Sequence, residues 1–91
     1  MIMDGFKIGD VVQSVAGRDK NGYFLVVGSI DGYILIADGK THKVKSPKRK
    51  NPKHLIKVIG ASSIEGADGI QRGEPFGNER LKKAVKRAIQ K

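Results

Sequence analysis

Apolar residues in the first sixty positions fall in short runs. Val11 to Ala16 is the first, Tyr23 to Ile30 the second (Y-F-L-V-V-G-S-I) and Tyr33 to Ala37 the third (Y-I-L-I-A). A polar stretch, Thr41 to Lys45, has Val44 as its apolar residue, and Leu55 to Ile59 closes the series. Asn21-Gly22, Asp31-Gly32 and Asp38-Gly39 lie between or beside these runs. Asn-Gly and Asp-Gly favour tight hairpin turns, because both central residues of a type I′ turn need a positive φ. Short runs rich in β-branched and aromatic residues, joined by such turns, predict an antiparallel meander of five strands. So many strands in so short a length are expected to curl into a small barrel rather than leave a flat sheet with open edges. Gly28, inside the second run, predicts a bulge or bend.

Two stretches break the strand pattern. Ser46 to Pro52 (S-P-K-R-K-N-P) sets three cations between two prolines, which cannot donate ladder hydrogen bonds, so a loop is expected. Residues 60–77 are rich in glycine and read as a linker. Beyond it the period changes. Leu81, Ala84, Val85, Ala88 and Ile89 recur at helical spacing, with Asn78 suited to the N-cap and Glu79 to the positive end of the helix dipole. The expected organisation is a barrel over 1–59, a linker over 60–77 and a basic amphipathic helix over 78–91. Fourteen residues make a marginal helix alone, so it is expected to dock on the barrel or to form on a ligand.

Charge sharpens this picture. Eighteen Lys and Arg stand against nine Asp and Glu, a net charge of +9 on 91 residues. Residues 40–57 hold eight cations and no acid, and residues 78–91 hold six cations and one acid. Charge that served solubility alone would mix both signs. Segregation into two blocks points to an anionic partner, nucleic acid before an acidic membrane surface. No apolar run approaches the ~20 residues of a membrane span. Met1 to Met3 precede Asp4 with no basic start or apolar core, so no secretory signal is expected. The absence of cysteine removes disulfides and thiolate metal sites and fits a reducing compartment.

The first hairpin reads D-V-V-Q-S-V-A-G-R-D-K-N-G-Y-F-L-V-V. This resembles the KOW motif, a strand–turn–strand corner with a key glycine. The order of A-G-R-D-K-N-G, Y-I-L-I-A-D-G-K, the basic loop, K-H-L at 53–55 and a terminal helix is similar to that of the small KOW proteins of the archaeal and eukaryotic large ribosomal subunit and their bacterial RNA-binding relatives. The resemblance covers residues 6–57 and, more loosely, the helix. Residues 60–77 match nothing in that family. It implies a mostly β fold, an SH3-like antiparallel β-barrel, and binding to structured RNA, ribosomal RNA first, by a cytoplasmic, ribosome-associated monomer acting in translation.

By the resemblance Gly17 takes the key glycine position, with Arg18 and Lys20 projecting from the hairpin tip. Asp19 is expected to brace Arg18 or the turn. Arg offers bidentate phosphate contacts and Lys a mobile point charge. The expected RNA-binding set is Gly17, Arg18, Lys20, Lys40, Lys43, Lys45, Lys48, Arg49, Lys50 and Lys53, lining one side of the barrel. Stacking is secondary: there is no Trp, and the aromatics are Phe6, Tyr23, Phe24, Tyr33 and Phe76. For Tyr23 and Tyr33 core packing is the first expectation.

Other classes rank lower. His42 and His54, without cysteine or a carboxylate cluster, make a poor metal site. Ser62, Ser63, Glu65 and Asp68 sit in the linker, where nothing would hold a catalytic geometry. No glycine motif cradles a nucleotide phosphate. No enzyme, cofactor or small-molecule substrate is therefore expected. Membrane-surface helices usually carry Trp, Phe or several Leu, whereas this apolar face is Leu81, Val85, Ile89 and two alanines. Two tyrosines without a tryptophan argue against the aromatic groove of a proline-rich-peptide binder. The alternative kept is a KOW-type interaction module binding protein partners in a transcription or translation complex.

Overall fold

The computed structural model describes residues 2–3, 5–61 and 77–89. Most of the expected linker, residues 62–76, lies outside the described residues, as do residues 90 and 91. The elements run in the order β1 (Ile2–Met3), β2 (Phe6–Lys7), β3 (Val11–Ser14), β4 (Tyr23–Ile30), β5 (Tyr33–Ala37), β6 (Lys48–Lys50), a 3-10 turn (Pro52–His54), β7 (Leu55–Ile59) and α1 (Asn78–Ile89). β1 and β2 form a two-stranded ladder. The other five strands form one antiparallel sheet in the order β6-β5-β4-β3-β7. The fold is mostly β with a C-terminal helix, consistent with a small SH3-like barrel whose sheet does not close.

The unbroken apolar runs of β4 and β5 have a direct cause: both faces of the sheet are covered. Successive side chains alternate across a strand. Phe24, Val26, Ile34 and Ile36 join Phe6, Val12 and Leu55 in the core on one face. Leu25 and Ala37, with Val11 from β3, point to the other face, where they meet Ala61 and the helix residues Leu81, Val85 and Ala88. The register shifts between Val26 and Gly28 against β5, so the expected bulge is present with Val27 as the extra residue.

Docking on that outer face holds α1. Full burial of a Leu such as Leu81 is worth about 1.5–3 kcal/mol relative to exposure, more than helix propensity supplies over a few residues. Asn78, the expected cap, is the first residue of the helix, so the cap position falls one residue earlier, on Gly77. Leu81 N–H donates to the Gly77 carbonyl (3.0 Å), which opens the ladder. The Asn78 side chain leaves the helix end and accepts the Val44 N–H (2.9 Å), tying the 38–46 segment to the helix.

Two local expectations are corrected. Thr41 to Lys45 is a turn region and not a strand, because the Asp38 side chain accepts the N–H groups of Lys40 and His42 (both 2.9 Å) and curls the chain. The strand lies instead in Lys48–Lys50, within the stretch expected to be a loop. Its prolines flank the pairing residues, and β6 is an edge strand, where proline nearby costs no central ladder bond.

Candidate nucleic-acid interface

The site is built on the β3–β4 hairpin. Gly17 adopts φ +85°, a left-handed conformation that side chains with Cβ rarely take. A Cβ there would also stand 3.1 Å from Lys50 Nζ. Asn21 is left-handed too (φ 73°), and its N–H donates to the Ser14 carbonyl (2.8 Å) while Ser14 N–H donates to the Gly22 carbonyl (2.9 Å). The loop between is therefore fixed at its base.

A buried ionic cluster fixes it from beneath. Lys50 is 8% exposed, and its ammonium donates to Asp19 Oδ1 and to the Ala16 carbonyl, both at 2.6 Å. Ser14 Oγ donates to the same Asp19 oxygen (2.9 Å), and Lys48 Nζ stands 2.9 Å from Oδ2, close in charge but off the hydrogen-bonding angle. Burial of Asp19 favours its neutral form. The hydrogen bonds from Lys50 and Ser14 and the neighbouring charge of Lys48 outweigh it and hold the carboxyl well below the usual carboxylate range. Asp19 thus braces the turn as expected, but through Lys48, Lys50 and Ser14 rather than through Arg18.

This cluster bridges what the sheet leaves open. In β6, Lys50 pairs with Ile34 and Lys48 with Ile36, so both cations lie on the Phe24–Ile36 side of the sheet, while Arg49 points away. The hairpin reaches across that side, and Val15 N–H donates to the His54 carbonyl (2.9 Å) just before β7. One loop is thereby joined to both edges of the sheet.

The hairpin tip forms one wall of an open groove of about 470 Å³. Arg18, Asp19 and Lys20 of the tip line the groove together with Gly22, Phe24 of β4, Asp38, Thr41 and His42 of the turn after β5, and Lys48 of β6. The His42 ring tilts over Phe24 (centroids 6.0 Å apart, 48° between planes). Of the expected set, the structure brings Arg18, Lys20 and Lys48 to this groove. Lys40, Lys43 and Lys45 are exposed on the adjoining segment, Arg49 on the outer side of β6 and Lys53 on the 3-10 turn. Lys50 departs from the expectation: it is inside the fold, its ammonium engaged by Asp19 and Ala16. His42, Asp38 and Phe24 were not in the expected set. The Asp38-Gly39 turn was a visible signal, but folding it back over Phe24 depends on a side-chain turn that no periodicity reveals.

Among the described residues no group of three or more His, Cys, Asp or Glu could hold a metal ion, and no helix is long and apolar enough to cross a membrane. The chain matches no protein-family model, and no curated protein matches it.

Proposed function

We propose that the protein is a KOW-type RNA-binding protein that contacts structured RNA, ribosomal RNA of the large subunit first, as a monomer and without catalysis or cofactor. The observation that carries this reading is the placement of Arg18 and Lys20, exposed at the tip of a hairpin whose backbone is fixed by Gly17 and by the Lys50–Asp19 bridge. Preorganised cations lose little freedom on meeting phosphates, and such contacts set position rather than sequence preference. Lys48 extends the same surface, and the exposed Lys40, Lys43, Lys45, Arg49 and Lys53 broaden it. Lys50 is a positioning residue in this account, not a contact.

The test is sedimentation of cell lysate through sucrose at low and high salt. Travel with the large ribosomal subunit at low salt and release at high salt is the expected result. Retention at the top of the gradient at both salts would overturn the ribosomal assignment. A second reading has one observation in its favour: Ile56 and Val58 are exposed on the edge strand β7, a surface of the kind that protein partners cover. Copurified material that contains protein alone after nuclease treatment would move the assignment to an interaction module.

A further inference from the structure

We propose that the groove between the hairpin tip and the 38–42 turn receives one unstacked nucleotide of the bound RNA, its phosphate against Arg18, Lys20 and Lys48 and its base against His42 and Asp38. The inference rests on the RNA-binding reading and goes further, since phosphate contacts alone need no groove.

Size comes first. At about 470 Å³ the groove falls in the range of sites for small ligands, roughly 300–1,000 Å³. A base-paired helix cannot enter a space of that size; a single splayed-out nucleotide can. Sequence-specific RNA recognition commonly uses such bases, held against flat side chains and read along their edges.

The lining is divided in the way a nucleotide requires. Cations stand on the hairpin and at Lys48. The lining also includes the imidazole of His42, a residue whose backbone is held in place. His42 N–H donates to Asp38 Oδ1, and the His42 carbonyl accepts the N–H groups of Asp38 (2.8 Å) and Gly39 (3.1 Å). The ring is half-buried and backed by Phe24, so it offers a fixed face for stacking. Phe24 needs Gly22 beneath it, because a Cβ at that position would come within 3.0 Å of its ring.

Asp38 gives the groove a preference among bases. A carboxylate accepts hydrogen bonds and donates none, and its two oxygens have about four acceptor sites. The N–H groups of Lys40 and His42 take two on Oδ1. The remaining acceptors suit a base edge that presents N–H groups side by side, which guanine does and uracil does not. A carboxylate in a surface used for phosphates alone would be repulsive, and unlike Asp19 it is not paired with a lysine in the described contacts.

The experiment uses the full chain and three labelled stem-loop RNAs: one fully paired in its stem, one with a single bulged guanosine and one with a bulged uridine, compared by fluorescence anisotropy. The bulged guanosine RNA should bind roughly tenfold tighter than the paired stem, the scale of one stacked base. In His42→Ala the ratio of the two affinities should fall towards one. In Asp38→Asn, which keeps an acceptor for the turn but replaces the other oxygen with a donor, the preference for guanosine over uridine should disappear. Circular dichroism melts establish that each variant folds. If His42→Ala does not, perturbation of the His42 ring resonances of the unmodified chain by bulged but not paired RNA is the required result. Equal affinity for bulged and paired stems overturns this inference and leaves RNA binding standing. Failure of all three RNAs to bind in a salt-dependent way overturns the RNA-binding reading itself.

Discussion

Lys50 Nζ and Asp19 Oδ1 meet at 2.6 Å beneath the tip of the first hairpin, 31 residues apart in the chain. The contact joins an edge strand to a loop and is almost wholly shielded from water. Removing one member of a buried ion pair leaves the other uncompensated, at a cost of about 3–5 kcal/mol. Lys48 remains beside Asp19 in a Lys50→Met variant, so the loss should sit at the lower end, about 3 kcal/mol. Urea denaturation at neutral pH measures it. A loss near zero would mean that the bridge does not hold the hairpin.

The same cluster makes stability depend on acid in a stated direction. The folded-state pKa of Asp19 lies below its unfolded value of about 3.9. Its contribution is therefore complete above about pH 4 and shrinks as pH falls further, because the unfolded chain takes up the proton first. Urea midpoints of the unmodified protein should fall between pH 5 and pH 3. Asp19→Asn should lower the midpoint at pH 6 and flatten the acid slope.

Two glycines with nearly the same φ should respond differently to alanine. Gly32 (φ +83°) has nothing within 4 Å of the position a Cβ would take, so Gly32→Ala carries only backbone strain, about 1 kcal/mol. Gly39 (φ +81°) lies under the start of α1, where a Cβ would sit 2.5 Å from the Asn78 carbonyl oxygen and 2.9 Å from Lys82 Cγ. Gly39→Ala adds overpacking to strain, about 2–4 kcal/mol in all, and should loosen the helix. Thermal melts give the totals. Hydrogen exchange at Leu81 and Val85 should accelerate in the Gly39 variant and not in the Gly32 variant.

Asp10 is 1% exposed and joins the start of the chain to the end of β7. Its Oδ2 accepts the Lys7 N–H (2.8 Å) and its Oδ1 the buried Ala61 N–H (2.7 Å), while Lys57 Nζ stands 3.4 Å away. Both oxygens must accept. Asparagine keeps one acceptor and turns a donor towards a donor, so Asp10→Asn should cost about 2–3 kcal/mol despite its matching shape. Loss of protection at the Ala61 amide is the local signature.

The strands that carry the core were legible because packing dictated their composition. Tyr23–Ile30, Tyr33–Ala37 and Leu55–Ile59 have the bounds that their apolar runs indicated, and Gly28 marks the bulge. The helix stripe was legible through Leu81, Val85 and Ala88, although Ile89 remains exposed. What escaped reading depends on partners distant in sequence. Lys48–Lys50 has no β-like composition, yet it pairs with β5 and finds its counter-charge in Asp19. Lys50 looks in sequence like any cation of a basic run, and only the fold distinguishes it from Arg49. Asn78 has the composition of a cap, but its side chain accepts the Val44 N–H instead.

That distinction between cations yields the sharpest test of the proposed surface. Neutralising a phosphate releases counterions, so the logarithm of affinity falls with the logarithm of salt concentration by about 0.7–0.9 per contact. If some six of Arg18, Lys20, Lys40, Lys43, Lys45, Lys48, Arg49 and Lys53 meet phosphates, the slope should be about −4 to −5. Single alanine substitutions at Arg18 or Lys20 should reduce its magnitude by about one contact's share. Lys50→Met should leave the slope of the folded protein unchanged while lowering its stability, because the ammonium it removes faces Asp19 and not solvent. Anisotropy titrations at several salt concentrations, run well below each variant's melting temperature, separate the two behaviours. A shallower slope in Lys50→Met would put its ammonium on the RNA and overturn the division between contact and positioning residues.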